Sequence, residues 1–451
     1  MSHYKPYPAH KDSGVEWLGK VPAHWEVFRI KSLISSSQNG FWGDEPKGDE
    51  NDIPCARVAD FDRSNLTVGD DLPTIRNVPA FQRESRQVCR GDLLFEKSGG
   101  GEQTLVGAVV HYTGEKPVIC SNFVAVIKCK PSVSARWLCY ANAYLYSVGV
   151  NIRSIKQATG IQNIDSEDYF SERISVPSEI EQGLIACYLD RETARIDGLI
   201  IRKNRFIELL REKRQALITH AVTKGLDPNA PMKDSGVEWL GDVPAHWKVT
   251  RLKFIASVQT GLAKGKDNAG RDTIDVPYLR VANVQDGYLA LDDVTRIEIP
   301  REDVARYRLQ YGDVLMNEGG DFDKLGRGHI WKCEIDICIH QNHVFAVRPT
   351  KISSAWLNTF TSSTFAQFYF MSRAKQSTNL ASISSTNIME LPIPLPPESE
   401  QDDLLQYIIS ETNRIDTLIS TTESSIELLK ERRSALITAA VTGQIDLRET
   451  V

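Results

Sequence analysis

The sequence predicts a mixed α/β protein built as a tandem repeat: two globular α/β bodies joined by two long helices, which pair as an antiparallel coiled coil with pseudo-two-fold symmetry. Three observations predict it. Asp12–Trp25 reads DSGVEWLGKVPAHW and recurs as DSGVEWLGDVPAHW at Asp234–Trp247, 222 positions on, with one substitution. Ile207–Thr223 (IELLREKRQALITHAVT) recurs as IELLKERRSALITAAVT at Ile426–Thr442, 219 positions on. Each copy of this second segment closes a run of apolar residues spaced alternately four and three apart, the period of paired helices.

The 451 residues thus divide into two units of one plan: short motif, variable body, long helix. The expected boundaries are residues 1–25 for the first motif, packed near the helical region, and 26–178 for the first body. Residues 179–227 form the first long helix, 228–247 a linker with the repeated motif, 248–397 the second body and 398–451 the second long helix. An apolar fraction of 41% and a charged fraction of 25% suit a globular protein with a real core. No apolar run is long enough to span a membrane, and the opening MSHYKPYPAHKDSG has no apolar signal core, so a cytoplasmic protein is expected.

The helices are readable in detail. Ser178 and Glu181 form a capping-box pattern after Pro177, which starts the first helix near Glu179; Gly225 ends it, and Gly443 ends the second. The predicted seam of the first helix is Ile185, Leu189, Ile196, Leu199, Phe206, Leu210 and Leu217, with Glu192, Lys203 and Lys213 at its polar positions. The second repeats it as Leu404, Ile408, Ile415, Leu418, Leu429 and Leu436, with Glu411, Thr422, Ser425 and Arg432 at the remaining positions. A helix of about 40 residues is about 60 Å long, too long for an ordinary globular core. An antiparallel register centred near Lys203 and Thr422 sets Glu192 against Arg432 and Glu411 against Lys213; the alternative is that these long side chains turn out to water.

The bodies read as mixed α/β with many short strands, such as Phe123–Ile127 and Val344–Val347. Weak matches survive between them: IPCARVADF (53–61) with VPYLRVANV (276–284), RGDLLFEKSGG (90–100) with YGDVLMNEGGD (311–321), and CSNFVAV (120–126) with HQNHVFAV (340–347). A protein that makes one partner contact twice but holds two different ligands has this pattern of identical ends and divergent bodies. Shared positions (Arg57 and Arg280, Gly91-Asp92 and Gly312-Asp313, Asn122 and Asn342) are expected to be structural or to touch a sequence-neutral feature such as phosphate.

Divergent loops beside shared strands are the candidate readers of a nucleic acid: 97–103 and 153–163 in the first body, 317–327 and 373–379 in the second. The DNA-binding candidates are Arg57, Lys97, Ser98, Gln103, Arg153, Lys156, Gln157, Thr159 and Asn163, then Arg280, Asn317, Lys324, Arg327, Asn342, Arg373, Lys375 and Gln376. Arg and Lys suit guanine edges and phosphates, and Asn and Gln suit adenine. Against this stands the plain reading of each loop as a solvated turn. The net charge of −6 is unusual for a DNA binder, and the bodies are near neutral: residues 248–397 hold 18 Lys and Arg against 16 Asp and Glu, residues 26–178 hold 17 against 19. Partner subunits are therefore expected to neutralise much of the phosphate charge.

Catalytic and metal signatures are missing from the sequence. The eight cysteines include no CxxC pair, and the closest two, Cys333 and Cys338, lack a second pair at zinc-ligand spacing. SGGGE has no GKS or GKT ending, so it is no P-loop. There is no Asn/Asp-Pro-Pro-aromatic tetrapeptide of an amino-methyltransferase, and the one Glu-x-Lys, Glu45-Pro46-Lys47, lies in a polar turn that makes a poor nuclease site. His24 and His246, each beside a tryptophan in PAHW, are expected to pack or dock rather than act as bases.

DSGVEWLGxVPAHW at the start of each unit, the proline-rich LPIPLPPESEQ (391–401) before the second helix and LxxxRxALITxAVT closing both helices resemble type I restriction-modification specificity subunits. The resemblance covers essentially the whole chain, in order and twice; the first-half counterpart ISVPSEIEQ departs from it in lacking a proline pair. It implies a non-catalytic subunit whose two bodies are target-recognition domains, each reading half of a split site on double-stranded DNA. It implies that the helices fix the gap between half-sites and dock two modification subunits, which supply S-adenosylmethionine. Restriction subunits with ATP and magnesium complete such a complex, and no cofactor or metal is expected in this chain.

Overall fold

A computed structural model describes residues 4–100, 104–158, 161–265, 270–320, 322, 325–377 and 380–449. The chain folds as two compact units, and the dividing line runs across both long helices. One unit contains Met1–Lys203 and Glu423–Val451; the other contains Asn204–Thr422. Each therefore holds one motif, one body, and part of each long helix.

In the first unit, five strands in the order 34–39, 124–129, 93–96, 109–112 and 67–68 form the main sheet, antiparallel but for the last pair. A second sheet orders 119–120, 52–56 and 75–77. Helix Ala135–Ser147 begins where the Ser134 hydroxyl accepts the Trp137 N–H, and it buries Trp137 completely. Strand Glu26–Arg29 pairs with Arg173–Val176, so the body closes just before the long helix starts at Glu179.

The second unit repeats this plan. Its main sheet orders 256–260, 344–349, 314–317 and 328–330, and its second sheet 295–300, 273–279 and 339–340. Ser353 caps helix Ser354–Thr361 at Trp356, again fully buried, and Lys248–Arg251 pairs with Pro392–Leu395. All three weak matches between the bodies fall on equivalent elements. The shared residues hold turns: Asp92 accepts the Cys89 N–H and pairs with Lys128, while Asp313, fully buried, accepts the Gln310 N–H and two bonds from Arg348.

The long helices span Glu179–Lys224 and Glu398–Val441. Within each unit they run antiparallel. In the first, Ile185 and Leu189 share a core with Leu436, Ile437 and Ala440, and Asp197 meets Arg433 at 3.1 Å. In the second, Ile218 and Val222 share a core with Leu404 and Ile408, and Arg214 meets Asp416 at 3.0 Å.

The seam departs from prediction in the middle. Ile185, Leu189, Ile196, Leu210, Leu404, Ile408, Ile415 and Leu436 are buried, but Phe206 and Leu418 are exposed, at 45% and 43%, and Leu199, Leu217 and Leu429 are only half-buried. Ile207 and Ile426 take the inner positions, with Thr193 and Thr412 one turn before Ile196 and Ile415. The cause is geometric: an α-helix of 3.6 residues per turn drifts about 20° per heptad against a strict seven-residue repeat. Thr193 and Thr412 tolerate burial because their hydroxyls donate to the carbonyls of Leu189 and Ile408, at 2.6 and 2.7 Å.

The predicted polar register is also corrected. Glu192 bonds Arg195 and Arg191 on its own helix, and neither Glu192–Arg432 nor Glu411–Lys213 forms among the described residues. Asp197–Arg433 and Arg214–Asp416 take that part instead. The aspartates are equivalent to one another in the repeat, as are the arginines.

Candidate nucleic-acid interface

In each unit the two candidate loops come together in one small three-stranded sheet. In the first body, Ile155–Ala158 pairs with Ile161–Ile164, which pairs with Ser98–Gly99. In the second, Lys375–Ser377 pairs with Leu380–Ser382, which pairs with Gly319–Gly320. Both sheets are reached from a main-sheet strand, Leu93–Glu96 or Val314–Asn317, which gives each small sheet a rigid base. Gly99 and Gly320 have φ of +128° and +146°, a backbone that side chains rarely adopt, which explains why a glycine stands at this step in both bodies.

The first body presents Lys97, whose ammonium donates to Asn39 Oδ1 at 2.6 Å, and Ser98, whose hydroxyl donates to Asn163 Oδ1 at 2.5 Å. Burial holds the pKa of Lys97 below the usual lysine range. Lys156 bonds Asp165 at 2.5 Å, and Asp165 also accepts the Glu167 and Asp168 N–H groups that open helix Ser166–Ser171. Lys156 in turn holds the Asp165 carboxyl below its ordinary value. Arg153 is exposed on the turn before the hairpin. Gln103 and Thr159 lie outside the described residues, and Gln157 is described only as strand backbone.

In the second body Lys375 and Gln376 are exposed on the outer strand, and Arg373 is exposed over the Tyr369 ring at 5.8 Å. Arg327 and Asn342 are half-buried, the latter with its amide 3.4 Å from the His343 ring. Lys324 lies outside the described residues. Asn317 is a correction: it is fully buried and donates to the Val284 carbonyl at 2.8 Å, so it supports the turn and reads nothing.

Arg57 and Arg280 serve the scaffold. Each opens a one-turn helix, with its N–H bonded to Asp60 or Asn283 at 2.8 Å, and its guanidinium is paired with Asp60 or Asp293.

The duplicated motif builds a corner where one long helix begins and the other ends. In the first unit His24 bonds Glu181 at 3.0 Å, Tyr7 donates to the same carboxylate, and Trp25 is fully buried. Burial, then Glu181, raises the Tyr7 pKa, which keeps the phenol a donor. In the second unit His246 and the Trp247 indole bond Glu400, at 2.7 and 3.0 Å. Ser178 caps the Glu181 N–H as predicted, but the Glu181 carboxylate turns to the motif instead of closing the capping box. Gly225 and Gly443, with φ of +71° and +72°, end the helices against Trp247 and Pro22.

Two features escaped sequence reading although their signal was present. Glu-Gln recurs at 181–182 and 400–401, and the buried glutamines bond the carbonyls of Pro177 and Pro396, at 3.0 and 2.9 Å. Arg-Ile-Asp recurs at 195–197 and 414–416, ahead of Arg214 and Arg433, so each copy carries both halves of a cross-helix ion pair.

No family model matches the chain. It is 21% identical over 439 residues to the type I restriction enzyme EcoKI specificity subunit of Escherichia coli K12, covering 95% of this chain and 90% of that one. It is 22% identical over 436 residues to the StySPI specificity subunit of Salmonella potsdam, again covering 95% and 90%. A putative specificity subunit, MjaX of Methanocaldococcus jannaschii, is 29% identical over 201 residues, 44% of this chain and 46% of that one. Among solved structures, a chain from a study of complex assembly and conformational transition of the type I R-M system matches at a TM-score of 0.71 and 15% identity, covering 94% of this chain and 99% of that one. The HsdS subunit of Thermoanaerobacter tengcongensis matches at a TM-score of 0.55 and 14% identity, covering 94% and 98%.

Proposed function

We infer that this chain is a type I restriction-modification specificity subunit, a sequence-specific DNA-binding component that carries no catalytic site. The observation that carries this is the combination of whole-length similarity to such subunits with a repeated scaffold on which two unlike small sheets are mounted. Each body reads one half of a bipartite DNA site through its small sheet and adjoining loops, with Lys97, Ser98, Arg153, Lys156 and Asn163 in the first and Arg327, Asn342, Arg373, Lys375 and Gln376 in the second. The near-neutral charge of the bodies supports a division of labour in which modification subunits supply much of the phosphate contact. Those subunits also bring S-adenosylmethionine and transfer its methyl group. Restriction subunits, with ATP and magnesium, add translocation and cleavage.

The paired helices set the number of unread base pairs between half-sites, as dimer geometry sets half-site spacing elsewhere. Methylome sequencing of cells that express this chain with its modification subunits is expected to return one split motif. A single uninterrupted motif, or no motif, overturns the reading. Deleting seven residues from each long helix, at equivalent positions of the repeat, removes about 10 Å of helix and is expected to shorten the gap by about three base pairs. An unchanged gap refutes the spacer role.

A further inference from the structure

Lys97 and Glu318 occupy one position in the two bodies, and their charges are opposite. The Lys97 N–H donates to the Phe123 carbonyl at 2.8 Å, and its carbonyl accepts from the Ile164 N–H at 2.8 Å. The Glu318 N–H donates to the His343 carbonyl at 2.9 Å, and its carbonyl accepts from the Ile383 N–H at 2.8 Å. Each residue thus leaves a main-sheet strand and enters the small sheet along the same path.

Their side chains meet different neighbours. The Lys97 ammonium donates to Asn39, with Phe123 exposed alongside; the Glu318 carboxylate bonds His343 Nδ1 at 2.6 Å. The Glu318 side chain is 28% exposed and the His343 side chain 55%, so the pair stays open to a ligand on one side. An ammonium there suits a phosphate or a guanine edge. A carboxylate repels phosphate, and among base edges in the major groove it can only accept from an exocyclic amino group, cytosine N4 or adenine N6.

We propose that Glu318, oriented by His343, is a specificity-determining residue of the second body and accepts a hydrogen bond from the exocyclic amino group of one base. His343 is the positioning residue: its bond selects one carboxylate rotamer and leaves the other oxygen for the base. The proposal rests on the DNA-reading function inferred above. It explains why the second body keeps the shared backbone at this step while reversing the charge.

The test uses the complete complex with its modification subunits and duplexes carrying every single-base-pair change across the site, with methylation rate as the readout. Glu318→Ala is expected to slow methylation of the preferred site roughly ten- to a hundred-fold and to abolish discrimination at one base pair of one half-site. Every other pair, including the whole other half-site, keeps its profile, which also shows that the variant folds and assembles. A G·C pair at that position assigns cytosine N4 as the donor, and an A·T pair assigns adenine N6. Glu318→Lys is expected to move the preference at that pair to guanine, and His343→Phe to weaken discrimination at the same pair alone. An unchanged profile in Glu318→Ala, or a loss spread evenly over all sequences, overturns the proposal. If the unsubstituted complex shows no site preference at all, the failure lies with the DNA-reading function itself.

Discussion

The corners and the small three-stranded sheets of this molecule were copied from the same repeat and ended differently. At the corners the copies share their main features: His24 with Glu181 and His246 with Glu400, Trp25 and Trp247 both fully buried, a left-handed glycine ending a helix in each. At the small sheets only the backbone path agrees, and Lys97 beside Phe123 becomes Glu318 beside His343. Packing constrains the first region, where a corner residue has contacts on all sides and little freedom to change. The second region is held by backbone hydrogen bonds that do not depend on the side chain, so its chemistry is free to vary. One scaffold can therefore serve two ligands.

That comparison is broken most forcefully at the tryptophans. Replacing Trp25 or Trp247 by alanine is expected to cost about 3–5 kcal/mol of stability, the usual range for emptying a tryptophan-sized core site. The corners also differ in the second donor to the glutamate, which is Tyr7 in the first unit and Trp247 in the second. The Trp247 indole N–H donates to Glu400, whereas the Trp25 indole N–H is buried without a hydrogen-bond partner. Trp247→Ala is therefore expected to be the costlier by about 1 kcal/mol. Chemical unfolding of both variants measures this; equal losses would mean that the indole bond contributes nothing net.

A smaller effect tests the helix seam. Ile207 is 5% exposed and Phe206 45%, so Ile207→Ala is expected to cost about 2–4 kcal/mol and Phe206→Ala under about 1. The reverse order in an unfolding series would restore the strict heptad seam. This pair of residues also shows where sequence reading stops. Both ends of the seam were legible, because apolar residues at Ile185, Leu189, Leu404, Ile408 and Leu436 fit a repeat of three and four. The middle was not: Phe206 and Ile207 are adjacent and both apolar, and only the drift of a real helix chooses between them. The helix register was legible in principle, since Arg-Ile-Asp and the later arginine recur together, but a polar register centred on Lys203 passed over them.

The bodies were legible as variable regions and as lists of loops. Their pairing into a small sheet was not, because strands of two to four residues carry no period and join segments far apart in the chain. Asn317 illustrates the cost. An asparagine in a divergent Gly-rich loop has the composition of a base reader, yet it stands on the last residue of a buried strand and bonds a carbonyl beneath. What distinguished it from Glu318, one residue on, was its side of the strand, which alternates with every residue.

The smallest expected effect lies inside the bodies, at a position where the copies differ in titration chemistry. His340 in the second body stands where the first has Cys120, and both are fully buried. The His340 Nδ1 lies 2.7 Å from the Val344 carbonyl and Nε2 has no partner, so burial holds its pKa below the ordinary histidine value, near 6.5. In the folded chain the ring is neutral; the unfolded chain takes up a proton as the pH falls below about 6.5. The unfolded state then binds more protons than the folded one, so this group's share of stability is complete above that value and declines on acidification. The slope is at most about 1.4 kcal/mol per pH unit. Cys120 does not change charge there, because burial raises its pKa. His340→Cys is therefore expected to flatten the loss of stability between about pH 6.5 and 5 by up to about 1–2 kcal/mol, measured by chemical unfolding at both ends of that range. His111 and His329, also held low by burial, keep a residual slope in the variant. An unaltered slope would place the acid sensitivity on those two histidines and leave the chemical difference at position 340 without effect on stability.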